Sequence, residues 1–369
     1  MKEIRAIVDA YSTIDFTKNQ ASLATVVRVE GSSYRRMGAR MLVKDDGNYL
    51  GGISGGCLEG DALRRAQKAI ASQKPSMITY DTTQDDGHKV GVGLGCNGII
   101  DVLFTPLGND EPGNPLDILS GLVDTRMPRI MVSITGPNNN QHMLGRSWIY
   151  ENEDQFRGAF AMPEILGDLL KDIVLAKESL SSKSVLYQTE EGQTQVFIEV
   201  VLPALQLVLY GANYDLYPMA RISRELGWNV TVVTNIARAG KSLFALADKV
   251  VHNKGDELPQ IDGFTAILLM SHDYKTDFSN LQKSIHTNAG YIGLLGPRKR
   301  ALKMFDAMIA DGRPLTKKDQ HRIFAPAGLH IGAASPEEIA LSIIAEIQAH
   351  FAGGTGTPLR LKKGAIHSD

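Results

Sequence analysis

From residue 205 the chain alternates short apolar runs with helical periodicity, and this alternation is what most restricts its fold. Residues 206–210 and 264–270 are near-continuous apolar runs, as expected of strands buried on both faces of a sheet. Residues 291–295 are another such run, and 229–233 is a further strand. Residues 215–226 place Leu216, Met219, Ala220, Ser223 and Leu226 on one helical face, and Gly227 stops the helix. Ser335-Pro336-Glu337-Glu338 is a capping box with proline at the first helical position. It opens a helix carrying Ile339, Ile343, Ile344 and Ile347. This is the grammar of a doubly wound parallel sheet, so residues 205–350 are expected to form a Rossmann-like domain. Residues 353–369 lack periodicity and are expected to form a frayed tail.

The first 200 residues follow a different grammar. Ile4, Ile7, Val8 and Tyr11 share one helical face. Strands are expected at 23–29, 39–43 and 49–53, with a hairpin turn at Asp45-Asp46-Gly47-Asn48. A helix opens at Ser54-Gly55-Gly56-Cys57-Leu58-Glu59 and runs to about residue 71, and strands follow at 77–80 and 99–104. The glycine-rich stretch 87–98 between them is expected to be loop. Residues 109–199 say less: 109–115 resembles a linker, 130–134, 147–150 and 196–201 are strands, 137–140 is a turn and 163–177 is a helix. Residues 1–200 thus read as a mixed α/β domain, with a core at about 1–108 and a less legible extension at 109–200.

Composition excludes several classes of protein. The 369 residues suit two domains, and 43% hydrophobic with 22% charged residues leaves apolar material for two cores. The net charge of −2 lacks the basic excess of a nucleic-acid binder. No window of 18 apolar residues predicts a membrane span. Lys2, Glu3, Arg5 and Asp9 interrupt the first 15 residues, so no secretory signal is expected. Two cysteines rule out a disulfide framework and cannot alone complete a tetrahedral zinc site. The nine histidines contain no H-x-H or H-E-x-x-H, so no protein metal site is expected. A reducing cytoplasm is the expected compartment.

Five constellations could carry chemistry. Gly211-Ala212-Asn213-Tyr214-Asp215-Leu216 stands where a dinucleotide fingerprint would, between strand and helix. Asn213 and Leu216 replace its second and third glycines, and Asp215 brings a negative charge to the phosphate position. Thr234-Asn235 stands where an acid would take a ribose hydroxyl. The scaffold is legible, and its NAD(P) site reads as altered or lost. Second, glycines at 51, 52, 55 and 56 precede a helix and offer backbone N–H groups to an anion. Cys57 lies near the first helical turn, where the dipole favours thiolate, or else it is a small buried hydrophobe. Third, Gly91-Val92-Gly93-Leu94-Gly95-Cys96-Asn97-Gly98 is either a tight crossover or a close backbone approach to a ligand. Fourth, Ser32-Ser33-Tyr34-Arg35-Arg36-Met37-Gly38-Ala39-Arg40 offers guanidinium and hydroxyl donors to phosphate, or is a solvated turn. Fifth, His272-Asp273 follows a strand at a carboxyl edge and is either an acid/base pair or a surface loop.

These residues resemble a known family. Gly31-Ser32-Ser33-x-Arg35-x-x-Gly38-Ala39-Arg40-Met41 and Gly52-x-x-Ser54-Gly55-Gly56-Cys57-x-Glu59 look like the N-terminal domain of the XdhC/CoxI family, the xanthine dehydrogenase accessory factors. Tyr291-Ile292-Gly293-Leu294-Leu295-Gly296-x-Arg298, then Pro326-Ala327-Gly328-Leu329-His330-Ile331-Gly332-Ala333, then Ser335-Pro336-Glu337-Glu338-Ile339-Ala340, are similar to its C-terminal half. The resemblance implies a cytoplasmic chaperone that binds the molybdenum cofactor, a pyranopterin dithiolene with a phosphate. It implies that the chain assists sulfuration and hands the cofactor to a xanthine dehydrogenase-type molybdoenzyme, with a cysteine desulfurase as a further partner and a homodimer as the assembly. Carried over by position, Cys57 and Cys96 with Ser54, Gly55, Gly56 and Gly95 are the cofactor contacts, joined by Arg35 and Arg40. The chain departs from the family's Gly-Ala-Gly-His at residues 211–214, from its acid at 234–235, and from a common Asp at His330.

Two function classes compete. A carrier handles the cofactor without turning over a metabolite, and no catalytic residue is identified for it. An NAD(P)-dependent oxidoreductase would use the C-terminal domain, against which the altered fingerprint argues. A pure interaction scaffold leaves both glycine–cysteine loops unexplained.

Overall fold

The structure is a computed structural model, and it describes residues 1–83, 98–108, 112–136, 142–190, 192–253 and 258–363. The chain divides into two compact units, one formed mainly by residues 3–203 and the other by residues 204–358.

The first unit opens with helix α1 (Lys2–Ser12), then strands β1 (Ala21–Gly31), β2 (Arg40–Lys44) and β3 (Tyr49–Gly51), helix α2 (Glu59–Ser72), and strands β4 (Ser76–Asp81) and β5 (Gly98–Leu107). The five strands form an antiparallel sheet in the order β3-β2-β1-β5-β4. Strand alternation splits β1 between two cores. Ala24 and Val26 face Ala62, Ala66 and Ala69 of α2. Ala21 and Leu23 face Ile7 and Val8 of α1. The small residues on α2 let the helix lie close to the sheet.

Next come α3 (Pro115–Ser120), β6 (Arg129–Gly136), β7 (Ser147–Tyr150), α4 (Glu153–Ala159), α5 (Pro163–Ser179), β8 (Lys183–Thr189) and β9 (Gly192–Val201). They build a second antiparallel sheet, β7-β6-β9-β8, with Ile165, Leu169 and Ile173 of α5 packed on Ile130, Val132 and Ile198. Phe197 of β9 also meets Val27 and Leu103 of the first sheet. The stretch read as a linker contains Asn114, whose side chain accepts from the N–H of Leu116 and caps α3. The expected turn at 137–140 lies outside the described residues.

The second unit consists of β10 (Gln206–Tyr210), α6 (Leu216–Glu225), β11 (Asn229–Thr234), α7 (Lys241–Leu246), β12 (Lys249–His252), β13 (Thr265–Leu269), α8 (Tyr274–Ser284), β14 (Tyr291–Leu294), α9 (Arg298–Ala310), α10 (Lys317–Arg322), β15 (Ile323–Phe324) and α11 (Pro336–Phe351). All its strand pairs are parallel, in the order β12-β11-β10-β13-β14-β15. This is the strand order of the doubly wound Rossmann sheet, the fold class expected from the sequence, with its switch point between β10 and β13. Leu207 and Leu209 turn toward α6 and α11, while Val208 and Tyr210 turn toward α8 and α9. Helices on both faces explain why these strands are apolar throughout. Ser335 caps α11 and Glu338 closes the capping box.

Candidate functional site

The helix expected to open at Ser54 begins at Glu59, with Leu58 as its N-cap. Residues 54–58 are instead a closed bend organised on one hydroxyl. Ser54 Oγ accepts from the N–H of Gly56 at 3.2 Å and of Leu58 at 3.0 Å, and donates to Glu59 Oε2 at 2.5 Å. The N–H of Ser54 donates to Glu59 Oε1 at 2.8 Å. The glycines let the chain fold back far enough for these contacts. The Gly56 N–H, one of those expected to cradle an anion, is therefore turned inward, and a carboxylate stands beside it. Burial pushes the Glu59 carboxyl up. The donors of Ser54, and the N–H groups of Glu59 and Gly56, outweigh burial and hold it below its usual value.

Cys57 stands at the tip of this bend, one residue before the N-cap and outside the helix. It is exposed, which removes the buried-hydrophobe reading. Its Sγ lies 3.7 Å from Ser54 Oγ. Gly55 and Gly56 are exposed beside it.

The serine–arginine turn after β1 borders this bend. The ring of Tyr34, itself 70% exposed, lies against Gly55, where a Cβ would stand 3.1 Å from the ring. Ser32 of the same turn lies over Gly98, the first residue of β5: a Cβ at 98 would stand 2.3 Å from the Ser32 carbonyl oxygen, so only glycine fits. One turn thus touches the Cys57 bend and the residue that ends the second glycine–cysteine motif. Gly95 and Cys96 lie outside the described residues. Tyr34 and Glu59 escaped the sequence reading as site residues. An aromatic beside two arginines, and an acid five residues after a serine, were the signals.

The arginines of the turn divide. Arg35 is ion-paired with Glu3 of α1. Arg40 turns inward and is 1% exposed. Its guanidinium forms a two-pronged pair with Glu199 of β9, one bond measuring 2.8 Å, and also donates to the Gly38 carbonyl at 2.8 Å. A Cβ at Gly38 would stand 2.8 Å from Glu199 Oε1, and its φ is +85°. Gly38 and Arg40 thus fasten the two sheets of the first unit, and Arg40 presents no guanidinium to solvent.

In the second unit, of the two readings of His272-Asp273, the mutual acid/base pair does not form. Asp273 caps α8, accepting from the N–H of Thr276 at 2.8 Å and its hydroxyl at 2.6 Å. His272 reaches Asp215 instead, at 2.6 Å. Among the described residues, no group of three or more His, Cys, Asp and Glu could hold a metal ion.

Comparison with known proteins places the chain. The profile of the XdhC Rossmann domain matches residues 207–347, and that of the XdhC and CoxI family matches residues 17–81. A Bacillus subtilis relative, described as a probable subunit of xanthine dehydrogenase, is 30% identical over 337 residues, spanning 89% of this chain and 93% of the relative. The chain belongs to the XdhC and CoxI family. Another family relative, the molybdenum cofactor insertion chaperone PaoD of Escherichia coli, is 23% identical over 328 residues, covering 89% of this chain and 82% of PaoD. A solved structure described as a xanthine dehydrogenase from Bacillus halodurans superposes with a TM-score of 0.72 at 25% identity, covering 97% of this chain and 99% of that one. The XdhC fold thus extends over nearly the whole chain. Among the described residues, no helix is long and apolar enough to cross a membrane.

Proposed function

We propose that this XdhC family protein carries the molybdenum cofactor, assists its sulfuration and delivers it to a xanthine dehydrogenase-type molybdoenzyme. The observation that carries the reading is the exposed Cys57 thiol at the tip of a bend fixed by Ser54 and Glu59. A soft thiolate is a ligand type suited to molybdenum, and a carrier needs it within reach of both donor and acceptor. The N–H groups of Gly55 and Cys57 make no hydrogen bond within the described residues, which leaves them for an incoming group. PaoD, a family relative by sequence, bears a matching description. Gly95 and Cys96 complete the proposed contact set. The bound cofactor would supply its own molybdenum–sulfur chemistry; the chain's part is to hold, orient and release it.

In the same reading a cysteine desulfurase supplies the sulfur, the compartment is the cytoplasm, and the carrier is a homodimer, the commonest soluble assembly. Anaerobic purification followed by assay for molybdenum and oxidised pterin tests the function. Co-purification of both is expected, and their absence from protein made in a cofactor-producing host overturns the reading. Light scattering at twice the 40.2 kDa chain mass is expected, and a single-chain mass over a wide concentration range removes the dimer.

A further inference from the structure

Beside the Cys57 bend, the serine–arginine turn also walls a cavity of about 680 Å³ within the first unit. This is the size of a site for a cofactor-sized molecule. Ser33, Arg35 and Arg36 line one side of it; Ser181, Ser182 and Glu199 line another.

The polar groups on these walls point to the class of ligand. Ser33 is 8% exposed, and its Oγ has no hydrogen-bond partner among the described residues. A buried hydroxyl left in that state is destabilising unless a further group completes it. Ser182 Oγ accepts from the N–H of Val200 at 2.9 Å, which leaves its own O–H to donate. The side-chain charges on the wall are the Arg35 and Arg36 guanidinium groups and the Glu199 carboxylate. Glu199 is already matched by Arg40. Hydroxyl donors with guanidinium groups form the donor set that suits a tetrahedral oxyanion.

We propose that this cavity seats a phosphate ester, the phosphate-bearing end of the pterin cofactor. The proposal rests on the carrier reading above and assigns the second end of the same ligand. Ser33 lines the cavity and Tyr34, the next residue, lies against Gly55 of the Cys57 bend. One turn therefore borders both the phosphate seat and the thiol loop. It also explains why the motif carries two kinds of residue: Gly38 and Arg40 fasten the sheets, while Ser33, Arg35 and Arg36 face the cavity.

Calorimetry on the full chain tests this, using a pterin monophosphate, the same pterin without its phosphate, and inorganic phosphate. The phosphorylated pterin should bind at least tenfold more tightly than its dephosphorylated form, with inorganic phosphate competing. Ser33→Val and Arg36→Gln should each weaken it at least tenfold. A melting scan accompanies each variant, and Arg36→Gln decides the matter if Ser33→Val fails to fold. Equal affinity for the two pterins, or unchanged binding by a folded Arg36→Gln, overturns the proposal. Molybdenum content of the same preparations separates the two readings. Molybdenum that co-purifies and is retained undiminished by both variants defeats the cavity assignment alone. Pterin monophosphate binding that both variants abolish, in a protein that never acquires molybdenum, defeats the carrier reading alone.

Discussion

Nε2 of His272 donates to Oδ2 of Asp215 across 2.6 Å, linking the turn after β13 to the turn after β10. These turns flank the switch point where a doubly wound sheet takes its ligand. Asp215 stands at the N-cap of α6, where a dinucleotide would bring its pyrophosphate, and His272 holds it there from a left-handed backbone with φ +60°. That conformation is costly for a non-glycine residue and persists only where its surroundings fix it.

Weak or absent NAD(P) binding follows from this pair. A carboxylate in the phosphate position repels the ligand, and Asn213 removes a glycine that close approach needs. Calorimetric titration of the full chain with NADH and NADPH should show no affinity below the millimolar range. Low-micromolar binding to the unaltered protein contradicts the expectation. Asp215→Asn, which removes the negative charge, is the variant in which any residual affinity should rise.

Four of the six parallel strands were legible, helped by the apolar runs that burial on both faces imposes, and Gln206–Tyr210 was read with its observed bounds, whereas the short β12 and β15 were not read. The second antiparallel sheet was only partly legible. β8 pairs on one side only, and its mostly half-exposed residues blur the alternation that marks a strand. Helices α3, α4 and α7 span six or seven residues each, fewer than two turns of periodicity. The glycine–cysteine bend announced itself through composition, but its hydrogen bonds did not. Nothing local in the sequence joins His272 to Asp215, 57 residues apart, or Arg40 to Glu199, 159 apart. Topology makes those contacts, so Arg40 read as a ligand donor when its partner is a buried acid.

The buried pair of Arg40 and Glu199 gives a stability prediction. Removing one partner leaves a charge uncompensated in the interior, at a cost of about 3–5 kcal/mol. Arg40→Met should therefore lower the denaturation midpoint of the first unit sharply. Adding Glu199→Leu should recover most of the loss, because two apolar side chains leave no charge unmatched. A double variant no better than Arg40→Met alone would refute the pairing argument.

Glu59 gives the bend a pH dependence. Its carboxyl is held below the usual value, so the folded bend favours the ionised form. The stabilisation is fully present above the ordinary glutamate value of 4.5 and is lost as pH falls through the depressed one. Thermal melts between pH 3 and 7 should show a Glu59 contribution that Glu59→Gln flattens. The opposite sign, with the variant losing stability faster than the parent on acidification, would exclude ionised Glu59 as the clasp.

Cys57 separates a site role from a packing role. An exposed side chain with one long contact to Ser54 contributes little to folding, so Cys57→Ala should change stability by no more than about 0.5 kcal/mol. The thiol should alkylate readily in the folded protein, since neither burial nor a disulfide protects it. If Cys57 meets the cofactor, protein purified with molybdenum should alkylate more slowly than protein stripped of it. Cys57→Ala should then carry less molybdenum at an unchanged melting temperature. Paired measurement of alkylation rate and metal content decides between the roles. Equal rates with and without cofactor, together with full metal content in Cys57→Ala, would leave the thiol without a part in carrying it.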